Sequence, residues 1–139
     1  MKYLLLTVFF WGITPVFEKI ASLSCDPAVG VFIRSMAVAI SSTVVVFFMG
    51  KGSLILQSSW KTMACLCLSG LLSGCLGFIT YLKAMQEISD AGKVAVLAAT
   101  YPLVALICAT IFLKEELTVF KLVGCLLIIC GAALLDYKF

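Results

Sequence analysis

The chain has 139 residues, 63% of them hydrophobic and 12% charged, with a net charge of +3. Soluble domains carry about 25% charged residues, so this composition excludes a water-soluble globule. The lysines are scattered singly and form no basic patch for nucleic acid.

Five apolar segments follow one another. The first, Tyr3–Ala21, approaches the about 20 residues needed to span hydrocarbon only by including Glu18 and Lys19. Ser22-Leu23-Ser24-Cys25 behind it hints at a lipoprotein cleavage site. The aliphatic residue falls one place too close to the cysteine, however, and Glu18-Lys19 interrupts the apolar run, so a retained helix is expected. Asp26-Pro27 suits the cap and first position of the second helix, Ala28–Gly50. Gly50–Ser59 is the longest link, and Trp60 is expected as an interfacial anchor. The third segment, Thr62–Leu82, has no charge inside; Tyr81 and Lys83 sit at its end, where an aromatic belt and a snorkelling lysine are expected. Met85–Gly92 reads as a short interfacial turn. The fourth segment, Val94–Leu113, is broken near its middle by Thr100-Tyr101-Pro102, whose freed carbonyls are open to a ligand or to neighbouring helices. Lys114–Thr118 joins it to the fifth, Leu117–Leu135, and Asp136–Phe139 forms a charged, aromatic tail.

These segments are apolar all round, whereas strands of a spanning β-barrel alternate over about 10 residues. The expected fold is therefore all-α, one membrane domain over 1–139 with five transmembrane helices. An odd number of spans places the termini on opposite sides of the bilayer.

Six of the seven cysteines (Cys65, Cys67, Cys75, Cys108, Cys125, Cys130) lie in apolar segments, where they pack as small hydrophobes; Cys25 falls in a loop. With no histidine and no Cys-x-x-Cys, no metal site is expected. No phosphate-cradling loop, no Gly-x-Ser-x-Gly and no activating histidine is present. No catalytic residue, enzymatic activity or cofactor is therefore expected.

Small residues are patterned. Ser69, Ser73 and Gly77 recur every four positions, as do Gly70 and Gly74; Gly124 and Gly131 are seven apart on the fifth segment. In lipid such spacings let helix backbones approach closely, within a chain or between chains.

Cations beside the spans normally set orientation. With the N-terminus inside, Lys2, Lys51, Lys61, Lys114 and Lys121 lie inside, and Lys19, Lys83, Lys93, Lys138 and Arg34 lie outside. The sets balance. Either other signals fix the topology, or the chain inserts both ways and pairs as an antiparallel homodimer, which would reproduce the inverted-repeat plan of secondary transporters.

Glu18, Lys19 and Arg34 are the ionisable groups within apolar segments, where a charge costs about 2.5–3.5 kcal/mol at a helix centre. Trp11, Pro15 and Glu18 share one helix face: an aromatic plate, a proline that removes a backbone donor, and a carboxylate. A pair between Arg34 and Glu18 is expected, since both lie toward the same side. Glu18 faces either a cavity or the interface, and depth decides between them. Candidate substrate or coupling residues are Trp11, Pro15, Glu18, Arg34, Tyr81 and Tyr101.

Several motifs in order resemble the EamA-type domain of the drug/metabolite transporter superfamily. They are Phe10-Trp11-Gly12-Ile13-Thr14-Pro15-Val16-Phe17, Lys19, Asp26-Pro27 and Ile33-Arg34, then Tyr101-Pro102, Phe112-Leu113-Lys114-Glu115-Glu116-Leu117-Thr118, Lys121, Gly124 and Gly131. The resemblance covers nearly the whole chain. It implies one half of a ten-helix inverted-repeat transporter, as in the short five-helix bacterial and archaeal branch, with a cavity lined by the first four helices and a peripheral fifth. Glu18 departs from the pattern, which is commonly apolar or small before the lysine. Glu115 matches a glutamate of the last loop, where a helix-capping role is implied.

The expected function is secondary transport or export of small organic metabolites or drugs across the cytoplasmic membrane, by alternating access, as a homodimer in the lipid bilayer. A lipid-carrier flippase subunit and a non-transporting membrane scaffold or partner subunit are the alternatives. Dual topology predicts that reporters fused to the C-terminus give signal from both sides of the membrane; signal from one side alone excludes it.

Overall fold

The computed structural model describes residues 1–136, and every regular element within them is helical. The tail beyond Asp136, including Lys138 of the charge balance, lies outside the described residues. Helix α1 spans Lys2–Ser22, α2 Pro27–Phe48, α3 Gly52–Leu56 and α4 Trp60–Ser69; a π-helical segment, Gly70–Gly77, leads into α5, Phe78–Glu87. Then come α6 (Ala91–Ala98), α7 (Tyr101–Phe112) and α8 (Val119–Asp136). Lys2–Ser22, Pro27–Phe48, Trp60–Glu87 and Ala91–Phe112 are long and apolar enough to cross a bilayer. The fifth expected span falls on the apolar stretch Val119–Leu135 within α8, which runs to the last of the described residues. The chain divides into two compact units, Met1–Glu87 and Ile88–Phe139.

In the first unit, α1 runs unbroken through Pro15. The proline ring removes the donor that would reach the Trp11 carbonyl, and the Thr14 hydroxyl donates to that carbonyl at 2.9 Å. Such local substitution is what lets a membrane helix carry an internal proline. Helix α2 starts as the sequence suggests: the Asp26 carboxylate accepts from the Ala28 N–H at 2.8 Å and Pro27 takes the first helical position.

Helix α5 is the element on which this unit is assembled, since both α1 and α2 pack against it. The α1–α5 joint is polar. The Lys19 ammonium donates to the Met85 carbonyl, and the Gln86 side-chain amide donates to the carbonyls of Ser22 at 2.9 Å and Cys25 at 3.0 Å. The last carbonyls of a helix have no donor within it, and Gln86 supplies one from another helix. Apolar burial surrounds the joint: Met85 is fully buried, and Leu82, Val31 and Pro27 nearly so. On the α2 side, a Cβ at Gly30 would lie 2.9 Å from the Leu82 Cδ1. The absence of a side chain there allows the close approach. These contacts correct the expected turn at Met85–Gly92. Met85–Glu87 form the last turn of α5, and only Ile88–Asp90 break the helix before α6.

The π-helical segment falls on the Ser/Gly-rich stretch. The Ser73 hydroxyl donates to the Ser69 carbonyl at 2.8 Å, competing for the acceptor that an α-helical N–H would use. A Cβ at Gly77 would sit 3.0 Å from the Leu72 carbonyl oxygen, so its smallness serves its own wide turn. A Cβ at Gly70, Gly74, Gly124 or Gly131 would meet no atom within 4 Å. Among the described residues, the helix contacts expected at these four glycines are not made within the chain.

In the second unit, the Asp90 carboxylate caps α6 by accepting from the Lys93 N–H at 3.0 Å. The break at Thr100-Tyr101-Pro102 is present: α6 ends at Ala98, the Thr100 hydroxyl donates to the Leu97 carbonyl at 2.7 Å, and Pro102 sits in the first turn of α7. Helix α6 packs on α8.

Gln86→Leu removes both bonds and takes the side-chain donor from the carbonyls of Ser22, at the end of α1, and Cys25, in the loop after it. It is expected to lower stability in detergent by about 1–3 kcal/mol, read as a lower denaturant midpoint; an unchanged midpoint would show that the joint contributes nothing.

Candidate functional site

Three helices of the first unit bring their polar residues together near the α5 end of the third span. Glu18 lies four residues before the end of α1, Arg34 seven after the start of α2 and Tyr81 six before the end of α5. At 1.5 Å per residue these are depths of about 6, 10 and 9 Å along each helix. The three depths agree to within a helical turn, so the groups share one level. That level is inside the helix ends rather than at them.

Among the described residues the expected pair of Arg34 with Glu18 makes no ion-pair contact. The Arg34 guanidinium carbon stands 4.2 Å from the centroid of the Phe78 ring, within the range of a cation–π contact. Phe78 in turn stacks on Tyr81, with centroids 6.1 Å apart and planes at 20°. The result is a stacked run of phenol, phenyl and guanidinium at the level of the Glu18 carboxylate. Glu18 and Tyr81 are half-buried, and Arg34 is exposed.

Phe78 was absent from the sequence candidates. Its signal was available in its spacing, because residues three apart on a helix share a face, and Tyr81 was already a candidate. Gln86 gave no such signal, since a glutamine near a helix end is unremarkable until its partner is known.

The other candidates fare differently. Trp11 shares the α1 face of Glu18 but is 65% exposed and lies about two turns away along the helix. Pro15, between them, is half-buried. Tyr101 opens α7 in the second unit and is 60% exposed. The groove of that unit, about 470 Å³ between α7 and α8, is lined by its neighbour Pro102 together with Ala105, Ala109, Phe120 and Gly124, not by Tyr101. At its rim Glu115 pairs with Lys121 at 3.3 Å, and Lys121 also donates to the Glu116 carbonyl at 3.1 Å. The ammonium thus holds the loop before α8, in keeping with a structural role for Glu115. Among the described residues no group of three or more His, Cys, Asp or Glu is placed to hold a metal ion.

Residues 1–136 match the EamA-like transporter family. The chain belongs to that family. No curated protein and no solved structure matches it. EamA-like proteins are membrane transporters of the drug/metabolite superfamily, so the long apolar helices are the spans of a multi-pass membrane protein. Membership also accounts for the exposure of Phe9, Phe10, Trp11 and Phe17, each more than 60% exposed on α1. On a water-soluble protein such a surface would be an aggregation hazard, whereas in a bilayer lipid covers it. The same setting gives the Glu18–Arg34 level its importance, because charges inside a transporter's spans are costly and are kept where they meet each other or a wet cavity.

Arg34 and Phe78 should couple. A double-mutant cycle of Arg34→Met and Phe78→Leu, read by thermal unfolding in detergent, is expected to give an interaction of about 0.5–1 kcal/mol. Additive effects would show that the stacked guanidinium contributes nothing.

Proposed function

We propose that the chain is a secondary transporter that moves small organic metabolites or drugs across the cytoplasmic membrane by alternating access, as a homodimer of five-helix units. The observation that carries this reading is the level shared by Glu18, Arg34 and Tyr81, about one to two turns inside the ends of three apolar helices. A carboxylate at that level can take up a proton or a cationic group on one side of the membrane and release it on the other.

Support for two copies comes from the near-equal division of Lys and Arg about the spans and from the open faces at Gly70, Gly74, Gly124 and Gly131. Small residues facing open space in lipid suit close helix contacts with a second chain. If the copies insert in opposite senses, the Glu18 level of one and that of the other lie toward opposite membrane faces, a symmetric arrangement for alternating access.

Glu18→Gln keeps the size but cannot exchange a proton. It is expected to abolish proton-driven transport in vesicles while leaving the unfolding midpoint within about 1 kcal/mol of the parent. Unchanged proton-driven transport would remove Glu18 from the mechanism.

A further inference from the structure

We infer that the end of the first unit opposite the α1–α5 joint is a docking surface for anionic phospholipid, with α3 lying in the headgroup region and Lys51 and Lys61 holding lipid phosphates on either side of it. The inference concerns the membrane rather than a solute and does not rest on the transport reading.

Charge in the first unit is divided unevenly. Its carboxylates, Glu18, Asp26 and Glu87, all belong to the tied end, where Lys19, Arg34 and Lys83 offset them. From Ala28 to Gln86 the chain holds no acidic residue. The opposite end carries Lys2, Lys51 and Lys61, with no carboxylate of the unit to offset them. Insertion responds to cations alone, and by that count the two ends are equal. A lipid headgroup responds to net charge, and by that count only one end is positive. Among the described residues neither Lys51 nor Lys61 makes an ion pair.

The helices bring this end to a membrane surface. Counted from the Gly30–Leu82 approach, Phe48 lies 18 residues along α2 and Trp60 lies 22 residues back along the third span. At 1.5 Å per residue these are about 27 and 33 Å, one thickness of hydrocarbon. The link Met49–Ser59 therefore runs at the far interface. Its backbone is set at both ends. Gly50 takes φ 63°, its N–H donates to the Phe47 carbonyl at 3.0 Å, and the Lys51 N–H donates to the Val46 carbonyl at 3.1 Å. This helix-ending turn uses the left-handed conformation that glycine allows. At the other end the Ser59 hydroxyl caps α4 by accepting from the Thr62 N–H at 3.2 Å. Between these two stops α3 exposes Leu54, Ile55 and Leu56, the last of them 91% exposed, and Trp60, beside Lys61, is 79% exposed.

Such a surface suits the boundary between acyl chains and headgroups. The three apolar side chains of α3 meet the outer acyl region, and an indole settles at headgroup level. Lysine stems follow the apolar surface outward and carry the ammonium to the phosphates. A zwitterionic headgroup brings a cation of its own, which the lysines repel; an anionic one brings none. The apolar triplet between the two lysines selects a lipid over a free phosphate, which gains nothing from Leu54, Ile55 and Leu56.

The test uses the two tryptophans of the chain, Trp11 and Trp60. Trp11→Phe leaves Trp60 as the sole indole, and Trp60→Phe leaves Trp11, midway along α1. Each full-length chain is placed in vesicles of phosphatidylcholine with a minor share of phosphatidylglycerol, and quenching bromine atoms are carried on the acyl chains of one lipid or the other. Trp60 is expected to meet phosphatidylglycerol about 5-fold more often than its share of the membrane, and Trp11 in proportion to that share. Lys51→Gln with Lys61→Gln should bring Trp60 down to proportion. Lys51→Arg with Lys61→Arg should keep the enrichment, which separates charge from a folding defect. Sodium chloride should weaken the enrichment, and inorganic phosphate at equal ionic strength should weaken it no further. Proportional quenching of Trp60 with both lysines present, equal enrichment at Trp11, enrichment that survives the loss of both lysines, or selective loss in inorganic phosphate would each overturn the inference.

Discussion

Within hydrocarbon no water is available to a backbone carbonyl, so each interruption of a helix must be served by the protein itself. This constraint organises the first unit. Where Pro15 removes a donor, the Thr14 hydroxyl replaces it on the Trp11 carbonyl. Where α1 ends, Gln86 reaches across from α5 to the carbonyls of Ser22 and Cys25, and Lys19 returns a bond to Met85. The second unit repeats the solution at the α6–α7 break, where the Thr100 hydroxyl serves Leu97.

The α1–α5 joint also sets the geometry of the charged level. Gln86 and Lys19 hold the end of α1 against the last turn of α5, and the Gly30–Leu82 approach brings α2 to the same helix. With the three ends tied, the next turns inward come to one level: Glu18 from α1, Arg34 from α2 and Tyr81 from α5, with Phe78 one turn beyond Tyr81. The π-helical segment at Gly70–Gly77 lies on the other side of Phe78 from the joint, so the site residues of α5 sit between a fixed end and an irregular turn.

Charge inside an apolar span is costly unless it meets a partner. Arg34 rests on the Phe78 ring, which is stacked on Tyr81, and Glu18 is half-buried at the same level.

The sequence by itself determined the solvent, the class of fold and the approximate spans, because transfer into hydrocarbon depends on composition and length and needs no tertiary contact. It also placed the Asp26-Pro27 helix start and the break at Tyr101-Pro102, which are local backbone effects. It nominated Tyr81 as an aromatic residue and expected Glu18 and Arg34 to pair. Only the tertiary structure brought Tyr81 to their level, added Phe78, showed Gln86 as the fastener and set Trp11 and Tyr101 apart. It also carried the third span on to Glu87. The reason is that such pairings link residues about 60 positions apart, as Gln86 and Ser22 are, and no helical period or local propensity carries information over that distance.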